Sequence, residues 1–168
     1  MSTRLPVVSA RTAAPRPFAR GPRSAVSRTL LCVTGSGDRS TAHAAALRVA
    51  RALVARVARG GRPVAALLVR DDGGGDGAVA ALREAGAQSL VALERARLPE
   101  AALAALDALD PETIAIGIGA ELAAHLQAAL TIHVGRADAG TSASSADVEL
   151  HADAEAVASE IGAWLAQR

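Results

Sequence analysis

The sequence predicts a three-layer α/β domain, a mostly parallel sheet of five to six strands with helices on both faces. Three observations lead there. Short apolar runs alternate with longer helical patterns at least five times along the chain. The runs are apolar at every position rather than at every second one, as in strands buried on both faces. The 168 residues are 51% hydrophobic but only 1% aromatic, with no Tyr. A core made of Ala, Val, Leu and Ile lets helices sit close on a sheet.

The elements follow in order. Residues 1–28 carry Pro6, Pro15, Pro17 and Pro22 and no periodicity, which predicts a disordered tail; residues 29–168 form a single domain. Leu30–Thr34 is the first strand, closed by Gly35. After a loop over Gly35–Ser40, Ser40 or Thr41 is expected to cap a helix running to about Arg59. Its apolar face carries Leu47, Ala50, Leu53, Val54 and Val57, and Arg48, Arg51, Arg56 and Arg59 take the other. Gly60 and Gly61 stop it. Val64–Val69 is the second strand, Asp71–Gly77 a loop, and a helix follows to Ala85, ended by Gly86. Ser89–Leu93 is the third strand, and Pro99 opens a helix through Leu109. Thr113–Ile116 is the fourth strand, Ala120–Ala129 a helix, Leu130–Val134 the fifth strand and Val148–Leu150 a short sixth. Asp153–Gln167 is a closing helix capped by Asp153. Parallel sheets bind ligands beyond their C-terminal strand ends. Those ends are Gly35–Ser40, Asp71–Gly77, Gly117–Gly119 and Gly135–Ser145.

Composition removes several function classes. All 18 basic residues are arginines, so any mechanism that needs a lysine is excluded. The net charge of +1 is unevenly spread, because six arginines and no acid fall within residues 1–28. The remainder is mildly acidic, which argues against a nucleic-acid-binding face. The single cysteine, Cys32, cannot form an internal disulfide and fits a reducing, cytoplasmic setting. No apolar run approaches the roughly 20 residues of a membrane span, and the N-terminal stretch has no apolar core of a secretory signal. Its Arg, Ser and Pro content is shared by disordered tails, by mitochondrial transit peptides and by the translated upstream region of a misassigned start.

The chemistry-bearing residues concentrate at the first strand–helix junction, Gly35, Ser36, Gly37, Asp38, Arg39, Ser40 and Thr41. Backbone N–H groups there favour an anion. The phosphate-loop pattern G-x-x-x-x-G-K-[ST] is only partly met. Counted from Gly35, the last three places hold Ser40, Thr41 and Ala42. The lysine is absent, Asp38 repels a phosphate and Arg39 is the available substitute cation. A plain strand-to-helix turn is the competing reading. After the fifth strand, Gly135-Arg136-Ala137-Asp138 echoes two positions of the N-K-x-D guanine-reading motif, with Asp138 on the base edge; a solvated loop is its ordinary reading. Cys32 and Arg39 are one residue too far apart for a C-x5-R phosphatase loop. Asp71, Asp72 and Asp76 lack the closing Glu of a calcium loop. His43, His125, His133 and His151 have no metal-ligand spacing, and His43 falls on the sheet-facing side of its helix.

The segment from Leu30 to Leu150 resembles the family of molybdopterin-guanine dinucleotide biosynthesis protein B, a small P-loop GTP-binding family. The likeness rests on VTGSGDRST followed by RALVARVARGGRPVAALLV, on Arg83-Glu84-Ala85-Gly86-Ala87 leading into a strand, on Ile114–Leu122 leading to Leu130–Val134, and on the terminal helix. It implies a P-loop NTPase-like fold that binds GTP or another phosphorylated ligand, assists molybdenum cofactor assembly and meets molybdenum cofactor enzymes. Two departures bear on activity. The lysine is gone, and the acid of the fourth strand is replaced by Gly117, which leaves nothing to orient magnesium or water. The expectation is a nucleotide-binding protein impaired in hydrolysis. The alternatives are an NTPase using Arg39 in place of lysine, and a non-enzymatic scaffold or homodimer acting through protein partners.

Overall fold

The computed structural model describes residues 29–36, 38–70, 75–134, 148–150 and 154–167. The tail expected over residues 1–28 and the cap expected at Asp153 lie outside these. Six strands and five helices alternate in the order β1 (Leu30–Gly35), α1 (Arg39–Arg59), β2 (Val64–Arg70), α2 (Asp76–Glu84), β3 (Ser89–Glu94), α3 (Leu98–Ala108), β4 (Ile114–Ile118), α4 (Ala120–His125), β5 (Leu130–Val134), β6 (Val148–Leu150) and α5 (Ala154–Ala166). The strands form one sheet in the order β3-β2-β4-β1-β5-β6. Every pairing between neighbours is parallel.

The central strands β1, β2 and β4 are buried along nearly their whole length because helices cover both faces. The edge strand β3 is instead largely exposed, with only Leu93 buried, against the expectation of apolar strands buried on both faces. Leu31 and Val33 of β1 point into one core with Leu53, Val54 and Val57 of α1, Leu82 of α2, and Val157, Ile161 and Leu165 of α5. Leu30 and Cys32 point the other way, against Leu98 and Ala102 of α3 and Leu122 and Leu126 of the α4 region. Helices α1, α2 and α5 therefore cover one face and α3 and α4 the other, giving three layers. Right-handed crossovers place them so: β1 and β2 hand the chain toward the β3 edge, and β3 and β4 hand it back. Neighbours β1 and β4 thus send their next helices to opposite faces, the kind of switch point beside which such sheets hold ligands.

The structure corrects several sequence-based boundaries. Helix α1 starts at Arg39 and is capped by Asp38 rather than by Ser40 or Thr41. The Asp38 carboxylate accepts bonds from the Thr41 N–H at 3.0 Å and the Thr41 hydroxyl at 2.9 Å. Helix α4 is only six residues long, not ten, because Leu126 turns to extended backbone. The loop after β2 is shorter than expected: Asp76 and Gly77 belong to α2, and Asp76 lies 3.3 Å from Arg70 in an exposed ion pair. Helix α3 begins at Leu98, one residue before Pro99, after a short 3-10 turn over Arg95–Arg97. No helix among the described residues is long and apolar enough to cross a membrane.

Candidate functional site

The C-terminal edge of the sheet gathers the first strand–helix junction. Only Ser36, Gly37 and Asp38 separate β1 from α1, whereas a phosphate loop places four residues between its two glycines alone. The junction is also tight. A Cβ added to Gly35 would stand 2.2 Å from the Ala42 carbonyl oxygen, so only glycine lets the strand end this close to the first turn of α1. The Ser36 N–H donates to the Val134 carbonyl at 3.0 Å, tying the junction to the end of β5.

Asp38 fills the place a bound anion would take. Helix N-termini attract anions through unsatisfied N–H groups and the helix dipole, and here the protein's own carboxylate accepts the Thr41 N–H. The Asp38 pKa is held below the usual 3.8, first by the Thr41 backbone bond and then by the Thr41 hydroxyl. The junction therefore presents a charged carboxylate at neutral pH. Ser40 and Thr41 lie exposed in the first turn. Arg39 opens the helix, but its side chain, with Gly37 and Asp138, lies outside the described residues.

Gly117 lies inside β4. It pairs with Cys32 of β1 and Leu67 of β2. A Cβ there would lie 3.2 Å from the Cys32 sulfur and 3.7 Å from Leu122. A carboxylate at this position would be driven into an apolar layer. Cys32 itself is fully buried, and burial pushes its thiol up to about 12, the opposite of a reactive cysteine.

Sequence reasoning missed the most unusual pair at this edge. Among the described residues the buried polar side chains are Thr34, Thr113 and His133. Two of these, Thr34 and His133, are register partners on β1 and β5, at the C-terminal end of each strand. Both lie on the α3–α4 side of the sheet, since Thr34 is two residues beyond Cys32. Thr34 Oγ1 lies 2.9 Å from His133 Nδ1 and 3.4 Å from the Ile132 carbonyl oxygen. His133 is 5% exposed, yet its Nε2 has no hydrogen-bond partner. Buried polar atoms are almost always paired, and an orphan costs about 1–3 kcal/mol. The available signal was a histidine inside the apolar run LTIHV, one residue before the strand ends. The register that joins it to Thr34 is set by the sheet and not by the local sequence.

An open groove of about 720 Å³ runs over α1 between α2 and α5. Arg48, Arg51, Arg59, Glu84 and Glu155 line it, a mix of signs typical of a solvated face. Among the described residues no group of three or more His, Cys, Asp or Glu could hold a metal ion.

No family model matches the chain, and neither a curated protein nor a solved structure matches it.

Proposed function

We propose that this domain is a binding module that takes a nucleotide or related small molecule at the C-terminal edge of β1, β4 and β5 and does not hydrolyse it. The observation that carries the reading is the buried Thr34–His133 pair with its unpartnered Nε2, in the region where parallel sheets hold ligands. The reading without hydrolysis rests on chemistry: the chain has no lysine, and position 117 holds a glycine whose added Cβ would already stand 3.2 Å from the Cys32 sulfur. Participation in molybdenum cofactor assembly is the pathway that the family resemblance suggests. Calorimetric titration of GTP and ATP, with and without magnesium, tests the reading. Saturable binding without phosphate release is the expected result. Absence of binding at millimolar nucleotide, or turnover above background, contradicts it.

A second reading is a scaffold that acts through protein partners. The groove over α1 favours it, since Arg48 and Arg51 make no ion pair among the described residues. Light scattering decides: a monomer with no retained partner removes this reading.

A further inference from the structure

Resting on the binding reading above, we infer that the site grips its ligand through the nucleoside part, with His133 Nε2 accepting a hydrogen bond from a ligand hydroxyl or amino group, and that the phosphates contribute nothing to affinity.

The first step is a proton count. A threonine hydroxyl has one proton to donate and lone pairs to accept with, and a carbonyl oxygen only accepts. Thr34 Oγ1 is bonded to both the Ile132 carbonyl oxygen and His133 Nδ1. Both bonds form together only when the hydroxyl donates to Ile132 and Nδ1–H donates to the hydroxyl oxygen. In a neutral imidazole the remaining nitrogen then carries the lone pair. Nε2, buried and without a partner, is thereby an acceptor that calls for a donor. Sugar hydroxyls and base amino groups are such donors; a phosphate oxygen is not.

The second step is independent of the first. The helix N-terminus that would cradle phosphates in a strand–helix junction of this kind is already filled by the Asp38 carboxylate, which repels a second anion. The junction has only three residues, too few to wrap a phosphate. At the end of β5 the imidazole asks for a donor, and at the start of α1 the Asp38 carboxylate turns phosphate away. Thr34 acts here as a positioning residue, holding the imidazole in the tautomer that leaves a lone pair on the unpartnered Nε2.

The test compares guanosine and adenosine with their triphosphates on the full chain, and reads the His133 ring nitrogens by ¹⁵N NMR in the free protein. The expected results are a pyridine-type Nε2, nucleosides binding at least as tightly as triphosphates, and a loss of about tenfold or more for nucleoside on His133→Ala, the scale of one buried hydrogen bond. Thr34→Val, which keeps the shape and removes the hydroxyl, is expected to redistribute the tautomers and weaken nucleoside binding. A protonated Nε2 in the free protein overturns the inference, whether or not anything binds. Triphosphates binding more than tenfold tighter than nucleosides overturn it while leaving the binding reading intact. If neither nucleoside nor triphosphate binds at millimolar concentration, the binding reading fails and the inference with it.

Discussion

Individual residues at the β1–α1 junction decide what the site admits. Asp38 is both helix cap and electrostatic barrier, and the two roles separate by substitution. Asn caps nearly as well as Asp but carries no charge, so Asp38→Asn should melt close to the parent while binding inorganic phosphate more tightly. Asp38→Ala should lower the melting temperature. Equal phosphate affinity in parent and Asp38→Asn would remove the barrier role. The pH dependence follows from a pKa held below 3.8 in the folded state. The carboxylate's contribution to stability is fully present above 3.8 and is lost as pH falls through the lower folded value. Denaturant titrations of parent and Asp38→Asn at neutral pH and near pH 3 should therefore show their stability difference shifting against the parent at the acid end. Gly117 offers a second test. Gly117→Asp should not create hydrolysis, and should destabilise the fold by about 1–3 kcal/mol, because the new carboxylate meets the Cys32 sulfur and Leu122. A stable, NTP-hydrolysing Gly117→Asp protein would show that the missing acid alone had silenced an enzyme.

At the scale of elements, the contact between β1 and α1 sets the geometry of the edge. Gly35→Ala would force a methyl group onto the Ala42 carbonyl. The expected loss is about 3 kcal/mol or more, read from denaturant midpoints, since backbone must shift to relieve it. A loss under about 1 kcal/mol would mean that the junction is looser than described. The helices and strands themselves were legible, because short apolar runs such as Val64–Val69, bounded by Gly60, Gly61 and Pro63 on one side and Asp71 on the other, suit a buried strand by length and flanks. Their ends were less so. Ser40 and Thr41 look like caps by residue type, but Asp38 reaches the Thr41 N–H one turn earlier and wins. Helix α4 looked longer because Leu126 and Ala129 continue its apolar spacing, and only the packing of Leu126 under the sheet shows why the chain leaves the helix there. The candidate site divides in the same way. The strand-end position of the junction was readable from topology, and among the described residues Gly35, Ser36, Asp38, Ser40 and Thr41 lie between the end of β1 and the first turn of α1. His133 was not readable as a partner of Thr34, since the two are far apart in sequence and meet only through the β1–β5 register.

For the whole molecule, the parallel sheet with helices on both faces brings Gly35, the capped start of α1 and the buried His133 to its C-terminal edge. Among the described residues Leu103 is the one exposed large hydrophobic, so the described surface offers little apolar area to a protein partner, which supports the small-ligand reading proposed above. The most direct test of that claim is backbone amide NMR during titration with GTP up to millimolar concentration. The account predicts saturable shifts concentrated at Ser36, Gly119 and Val134, around the ends of β1, β4 and β5. Shifts confined to the groove of Arg48, Arg51 and Arg59, or no shifts at all, would contradict it.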